Sequence, residues 1–343
     1  MSEIEFGHVP LVKVTRGDSV ESVHYGAMAV VDSRGGLRAS VGSPEASGFL
    51  RSAAKPLQIL PLLASGAADR FRLSSRELAV IISSHNGERM HLDAVRSVLK
   101  KAGVAEGDLR CGAHPPFDRR ASDALLRAGK RPSSLHNNCS GKHAGMLALA
   151  RFWETPVRTY LSPSHPVQKA ILKVLSEYTG VPEPAILRGT DGCSAPTFAL
   201  SLRDTALAYA RLVEGRFGTP EERAASQRAI GAMRKHPELI GGTGRLCTAL
   251  IRAIGRSFVS KVGAEGFFGM AYLDGRRGVG IALKVGDGNG ERARTTVAVE
   301  LLVQLGLLER GRADRILFVN GLPRVRNVRG TTVGRIAPLF QVA

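Results

Sequence analysis

Apolar positions between residues 8 and 42 come in short bursts broken by turn residues. "VPLVKVTRG" is followed by "SVHYGAMAVVDSRGGLRASVG", in which "DSRGG" supplies turn chemistry, and this pattern predicts strands. Helical spacing then dominates the middle of the chain. "SSREL" offers Ser74 and Glu77 as a capping box before "LAVII". "ERMHLDAVRSVLKKAG" places Leu92, Val95, Val98 and Leu99 on one face and stops at Gly103. "SHPVQKAILKVLSEYTG" has Ser164 or His165 before Pro166 and ends at Gly180, and "TPEERAASQRAI" opens on Thr219, Pro220 and Glu222. Strands return in "FFGMAYL" (267–273) and "GVGIALKV" (278–285), joined across "DGRR" as a hairpin, before one long helix in "RARTTVAVELLVQLGLLERG". The order strands, helices, strands, helix predicts an α+β fold: an antiparallel sheet built from both chain ends, with a large helical insertion between them. One domain is expected over 1–343, with 1–50 and 260–343 forming the sheet and 51–259 mainly helical.

With 343 residues, 43% hydrophobic and 23% charged, the chain has the composition of a large globular core. No run approaches the ~20 apolar residues of a membrane span, and "MSEIEFGHVPLVKV" has no basic region before an apolar block. A cytoplasmic protein without membrane contact is expected. The cysteines Cys111, Cys139, Cys193 and Cys247 form no Cys-x-x-Cys pair, so free thiols or metal ligands are expected rather than bridges. A net charge of +18 invites a nucleic-acid reading. The basic residues are dispersed, however, and aromatics are only 5%, which argues against a nucleic-acid surface and fits small anionic or zwitterionic ligands.

In "RSAAKP", Ser52 stands three residues before Lys55. On a helix the two share a face, and a buried neutral lysine could take the serine's proton as it attacks a carbonyl. The same residues could simply open a helix, whose first turn is the only part that tolerates Pro56. Ser97 and Lys100 have the same spacing on an ordinary helical stretch. Serine–lysine acyl-transfer enzymes join Ser-x-x-Lys to Ser-x-Asn and Lys-x-Gly. "SHN" (Ser84, His85, Asn86) and "KVG" (Lys261 to Gly263) follow in that order, though Lys284 begins a second "KVG".

Two further stretches, "HNNCSGKHAGMLALA" (136–150) and "RGTDGCSAPTFALSL" (188–202), read as cysteine-bearing loops opening into helices. They could bring Cys139 and Cys193 together with Lys142 or His143 as a sulfur–nitrogen site for zinc, or both cysteines could be small core residues. Asp191 and His143 could hold the charged groups of an amino acid or cap helices. "GGTGR" around Thr243 resembles the glycine-flanked threonine of the ordinary bacterial asparaginases, but lies late in the chain. "GTDG" around Thr190 resembles a threonine exposed by autoproteolysis only at the dipeptide level.

Over nearly its whole length the chain resembles the rhizobial-type L-asparaginase family. The likeness is carried by "RSAAKPLQILPLL", "SSHNGERMHLDAV", "CGAHPP", "HNNCSGKHAGML", "GTDGCSAP", "KVGAEGFFGMA" and "LKVGDGNGERA". It implies a fold related to serine β-lactamases and glutaminases, a homodimer, and hydrolysis of L-asparagine to L-aspartate and ammonia without an organic cofactor. It implies catalytic pairs Ser52 with Lys55 and Ser84 with Lys261, the last preferred to Lys284 because "GAEG" follows. It implies zinc on Cys139, Lys142 and Cys193, and a substrate bound by Asp191, His143 and Arg51. The alternatives are another serine amidohydrolase, acting on glutamine or β-lactams, and a basic zinc-containing nucleic-acid-binding protein with no activity.

Overall fold

A computed structural model describes residues 7–320 and 322–342. The chain divides into two compact units, one of residues 1–53, 199–214 and 249–343 and the other of residues 54–198 and 215–248.

The first unit is built on an antiparallel sheet. From edge to edge run Arg324–Arg326, Thr332–Pro338, Val9–Arg16, Ser19–Asp32, Arg277–Val285, Phe267–Asp274 and Phe258–Val262, with Leu37–Val41 also paired to Ser19–Asp32. Both ends of the chain therefore supply the sheet, as the α+β reading requires. The register Met28↔Leu283↔Phe268 aligns fully buried side chains across three strands. The helix Leu202–Glu214 lies on this sheet at a distance only glycine permits. A Cβ on Gly280 would stand 1.8 Å from the Ala206 carbonyl, and one on Gly269 would stand 2.3 Å from the Tyr209 ring.

The expected hairpin is present, with Asp274 opposite Arg277. The expected long helix over 292–311 is not. A π-helical turn, Gly290–Arg294, leads into Thr295–Gln304, which ends where Gly306 takes φ +71 and the Leu307 N–H donates to the Leu302 carbonyl. Only Arg310–Val319 resumes a helix. The apolar run continues through the break because Leu308 is buried too, so periodicity alone conceals it.

The second unit is mainly helical. Ser74 and Glu77 form the capping box of Ser75–Ile82, and Thr219 and Glu222 that of Pro220–Lys235. His165 caps Pro166–Thr179, while Gly103 and Gly180 end their helices with φ +64 and +83. The helices Ser75–Ile82 and Ser140–Phe152 touch backbone to backbone. A Cβ on Gly141 would lie 1.9 Å from the Val80 carbonyl, and one on Gly145 would lie 2.6 Å from Ile81. The stretch 188–202 is not a loop opening directly into a helix. Leu187–Thr190 turns through Asp191 to Ala195 into the strand Pro196–Ser201, and the helix starts only at Leu202. The Asp191 N–H donates to the Ala195 carbonyl at 2.8 Å, closing that turn.

Candidate active site

Arg51–Ala54 form a single 3₁₀ turn, and Pro56 sits at the start of the helical turn Lys55–Gln58, where its missing N–H leaves no hydrogen bond unmade. Arg51 has φ +50, a left-handed conformation that a residue with a side chain adopts only when its surroundings hold it there. In the first unit, the Tyr209 hydroxyl donates to the Ala53 carbonyl at 2.6 Å and the Ala53 N–H donates to the Leu50 carbonyl at 2.9 Å. The half-buried Ser52 thus stands on a pinned, strained turn. In the same unit Lys261 is fully buried on Phe258–Val262 and donates to the Val262 carbonyl at 3.0 Å. Gly263 brings this strand end against Leu50, whose carbonyl would be 2.6 Å from an added Cβ. Lys284 is less buried and donates to the Glu265 and Val285 carbonyls at 2.7 and 2.6 Å.

The remaining expected residues meet inside the second unit. The helix Ser75–Ile82 ends at Ser83, whose hydroxyl donates to the Val80 carbonyl at 2.7 Å. The next residues are fixed by bonds from their backbone: Ser84 N–H donates to the Ile240 carbonyl at 3.0 Å and His85 N–H to the Asn138 carbonyl at 3.3 Å. His85 is locked as well. It accepts the Gly87 N–H on Nδ1, so its Nε2–H donates to Ser140 Oγ at 2.9 Å, and Ser140 in turn donates to the Leu135 carbonyl.

Lys55, 1% exposed, directs Nζ at the Ser83 carbonyl (2.5 Å), Ser84 Oγ (2.9 Å) and Cys139 Sγ (3.3 Å). As an ammonium it donates to these partners. As a free amine it donates to the carbonyl and the sulfur and accepts the Ser84 hydroxyl proton. Burial, with Lys142 nearby, lowers its pKa below the usual lysine range, against the opposing pull of Cys139 and Cys193.

Lys142 Nζ donates to Cys193 Sγ at 3.1 Å and lies 3.9 Å from Asp191 Oδ2, while the Cys193 thiol donates to the same oxygen at 3.8 Å. Burial works against the Lys142 charge, but Cys139, Cys193 and Asp191 together raise its pKa. The shared hydrogen bond with Cys193, followed by Lys55 and Lys142, holds Cys139 well below the usual thiol range. Cys193 is pushed the other way by that bond and by burial.

His143 is fully buried, and burial followed by Lys142 and Lys55 keeps its imidazole neutral. Tyr160 accepts the Arg110 N–H at 3.0 Å, so its own proton goes to His143 Nδ1 at 2.6 Å. The proton of His143 is then on Nε2, which is buried without a partner. No sequence pattern pointed to Tyr160, which lies in the irregular stretch between two helices. The second Ser-x-x-Lys pair is structural: Ser97 donates to Glu77 at 2.6 Å and Lys100 is exposed on the helix Arg89–Ala102.

The L-asparaginase II family model matches residues 12–338. The chain belongs to this family. No curated protein matches it. Among solved structures it is similar to a Bacillus glutaminase (13% identity, covering 82% of this chain and 91% of that one, TM-score 0.36). It is similar also to a β-lactamase from Mycobacterium bovis (13%, 87% and 95%, TM-score 0.36) and to a class C β-lactamase from Rhodobacter sphaeroides (14%, 88% and 96%, TM-score 0.38).

Membership of the asparaginase II family supports amidohydrolase chemistry for this chain. No helix among the described residues is long and apolar enough to cross a membrane. Among the described residues no group of three or more His, Cys, Asp and Glu side chains could hold a metal ion. Lys142, 3.1 Å from Cys193 Sγ, is the further donor available to a metal beside Cys139 and Cys193. The donor set suits zinc chemically: two cysteine sulfurs, one of them already favoured as the thiolate, and an amine whose proton a divalent cation would displace.

Proposed function

We propose that the protein hydrolyses L-asparagine to L-aspartate and ammonia. The observation that carries this reading, beyond family membership, is the buried Lys55 amine 2.9 Å from the Ser84 hydroxyl. Ser52 attacks the carboxamide carbon and forms an acyl-enzyme, with Lys55 receiving its proton. Backbone N–H groups face the developing oxyanion. Ser84, coupled to Lys261, delivers a proton to the departing nitrogen, and water then releases aspartate. Arg51, Asp191 and His143 bind the substrate. The His143 Nε2–H suits an acceptor such as a carboxylate oxygen.

Zinc held by Cys139, Lys142 and Cys193 would supply a fixed positive centre for substrate binding. The subunits form a homodimer, and the protein is cytoplasmic.

The Lys55–Ser84 contact also favours a second reading, in which Ser84 is the nucleophile and Ser52 the proton relay. One experiment addresses both. Ammonia release from asparagine and glutamine, and opening of a chromogenic β-lactam, are compared for wild type, Ser52→Ala and Ser84→Ala. Acid-quenched protein from the asparagine reaction is then mapped for the serine carrying the aspartyl group. Absence of ammonia release from asparagine by wild type would reject the activity. An aspartyl group on Ser84 would select the second reading.

A further inference from the structure

Asn86 lies two residues beyond Ser84, in the segment whose backbone is pinned by neighbours, and is 5% exposed. Its own carbonyl accepts the Asp118 N–H at 2.9 Å. Its side-chain Nδ2 donates to Glu88 Oε1 at 3.3 Å, while Oδ1 is buried without a partner. This orientation is forced. An ionised carboxylate only accepts, so the amide must turn its nitrogen to Glu88 and its oxygen away.

Glu88 is itself held in place. Thr243 donates its N–H to Oε1 at 2.8 Å and its hydroxyl to Oε2 at 2.7 Å. Gly242, at φ +123, allows the close approach: a Cβ there would stand 2.3 Å from Asn86 Nδ2 and 2.6 Å from Glu88 Oε1. The glycine-flanked threonine of "GGTGR" is thereby accounted for as a buttress, its hydroxyl engaged with Glu88.

A buried carbonyl oxygen lacking a donor is unfavourable and calls for a ligand N–H or water. We infer that Asn86 Oδ1 accepts an N–H of the substrate's carboxamide nitrogen, making this clamp a device that favours amides over esters of the same acid. The inference rests on the asparaginase reading proposed above. A carboxamide nitrogen near Ser84 offers hydrogens to this oxygen in the ground state. As it gains the proton from the Ser84 hydroxyl and its bond to carbon breaks, it becomes a stronger donor, so the contact strengthens along the reaction. An ester oxygen has no hydrogen to give and would present lone pairs to Oδ1. Glu88 and Thr243 are positioning residues that act through Asn86.

The test is kcat/KM for L-asparagine and for the β-methyl ester of L-aspartate, in wild type, Asn86→Leu, Thr243→Val and Thr243→Ser. Asn86→Leu is expected to lower the amide value about tenfold or more while leaving the ester value nearly unchanged. Thr243→Val should lower the amide-to-ester ratio less, and Thr243→Ser should keep it at the wild-type value. Equal losses on both substrates would overturn the inference, because they would indicate a structural role or binding of the α-ammonium group. An unchanged ratio would overturn it too. Should Asn86→Leu not fold, the Thr243 pair reads the same ratio with Asn86 in place. If wild type releases no ammonia from asparagine, the asparaginase reading falls and this inference with it.

Discussion

Substituting Gly141→Ala adds one methyl group where the helices Ser75–Ile82 and Ser140–Phe152 cross. The new carbon would start 1.9 Å from the Val80 carbonyl oxygen, whereas Cβ atoms essentially never approach closer than 3.0 Å. The helices must therefore separate by about an ångström, an overpacking displacement of the kind that costs about 1–3 kcal/mol. Helix propensity pulls the other way, favouring alanine by about 0.8–1.0 kcal/mol. The net stability loss is thus modest.

The effect on the site is larger. The Val80 carbonyl receives both the N–H and the hydroxyl of Ser83, and Lys142 follows Gly141 directly. A shift here changes the spacing between Ser84, Lys55 and Cys139. Misplacing reacting groups by about 1 Å can reduce turnover about 10²-fold. The assay is kcat/KM for asparagine beside the melting temperature. Gly231→Ala serves as control, because that exposed helical glycine has no atom within 4 Å of an added Cβ and should gain slight stability with full activity. If Gly141→Ala keeps wild-type turnover, the helix contact does not hold the site and this account of its assembly is wrong.

Lys55→Met keeps the buried methylene stem but removes the amine, and turnover should fall at least ~10²-fold with an unchanged far-ultraviolet spectrum; near-normal turnover would exclude Lys55 as the base. Burial alone would raise the Glu77 pKa, but bonds from Lys101, Ser97 and Ser74 bring it below the usual range. A depressed folded pKa contributes stability above the unfolded value of about 4.3 and loses it as pH falls through the folded value. Denaturant titrations from pH 7 down to 3 should therefore show a loss in wild type that is smaller in Glu77→Gln, and parallel curves would refute the role. If Cys139, Lys142 and Cys193 hold zinc, elemental analysis of purified protein should find one ion per chain and none in Cys193→Ser, and equal zinc in both would place the metal elsewhere.

Features that depend on neighbouring residues were legible in the sequence. The box Ser74/Glu77, the helix start at Thr219, Pro220 and Glu222, and the helix-ending Gly103 and Gly180 need only a few adjacent positions, and all four are as expected. Strands with remote partners were not legible. Thr332–Pro338 pairs with Val9–Arg16 at the other end of the chain, and Ala199 to Ser201 pair with Ser47–Phe49, so neither pairing leaves a local signal. The same limit governed the site. Motifs named Lys55, Ser84, Cys139, Lys142 and Cys193, whereas Tyr160 and Glu88 matter through contacts with residues remote in sequence, which leave no spacing behind. Thr243 was visible as a motif, but its partner Glu88 lies far away in sequence, so its role could not be read locally.

Two lysines in one dry cluster would repel, and each would be costly to bury alone. Their surroundings divide them. Lys55 has a hydroxyl, a carbonyl and one sulfur as partners, whereas Lys142 faces the other sulfur and a carboxylate. The formal negative charge of Asp191 therefore favours an ammonium at Lys142, and that ammonium in turn favours a neutral amine at Lys55. The division lowers the pKa of the amine beside Ser84 and raises that of the amine facing Cys193 and Asp191, where a metal would replace its proton. The two lysines are consequently not interchangeable, although they are chemically identical and both buried.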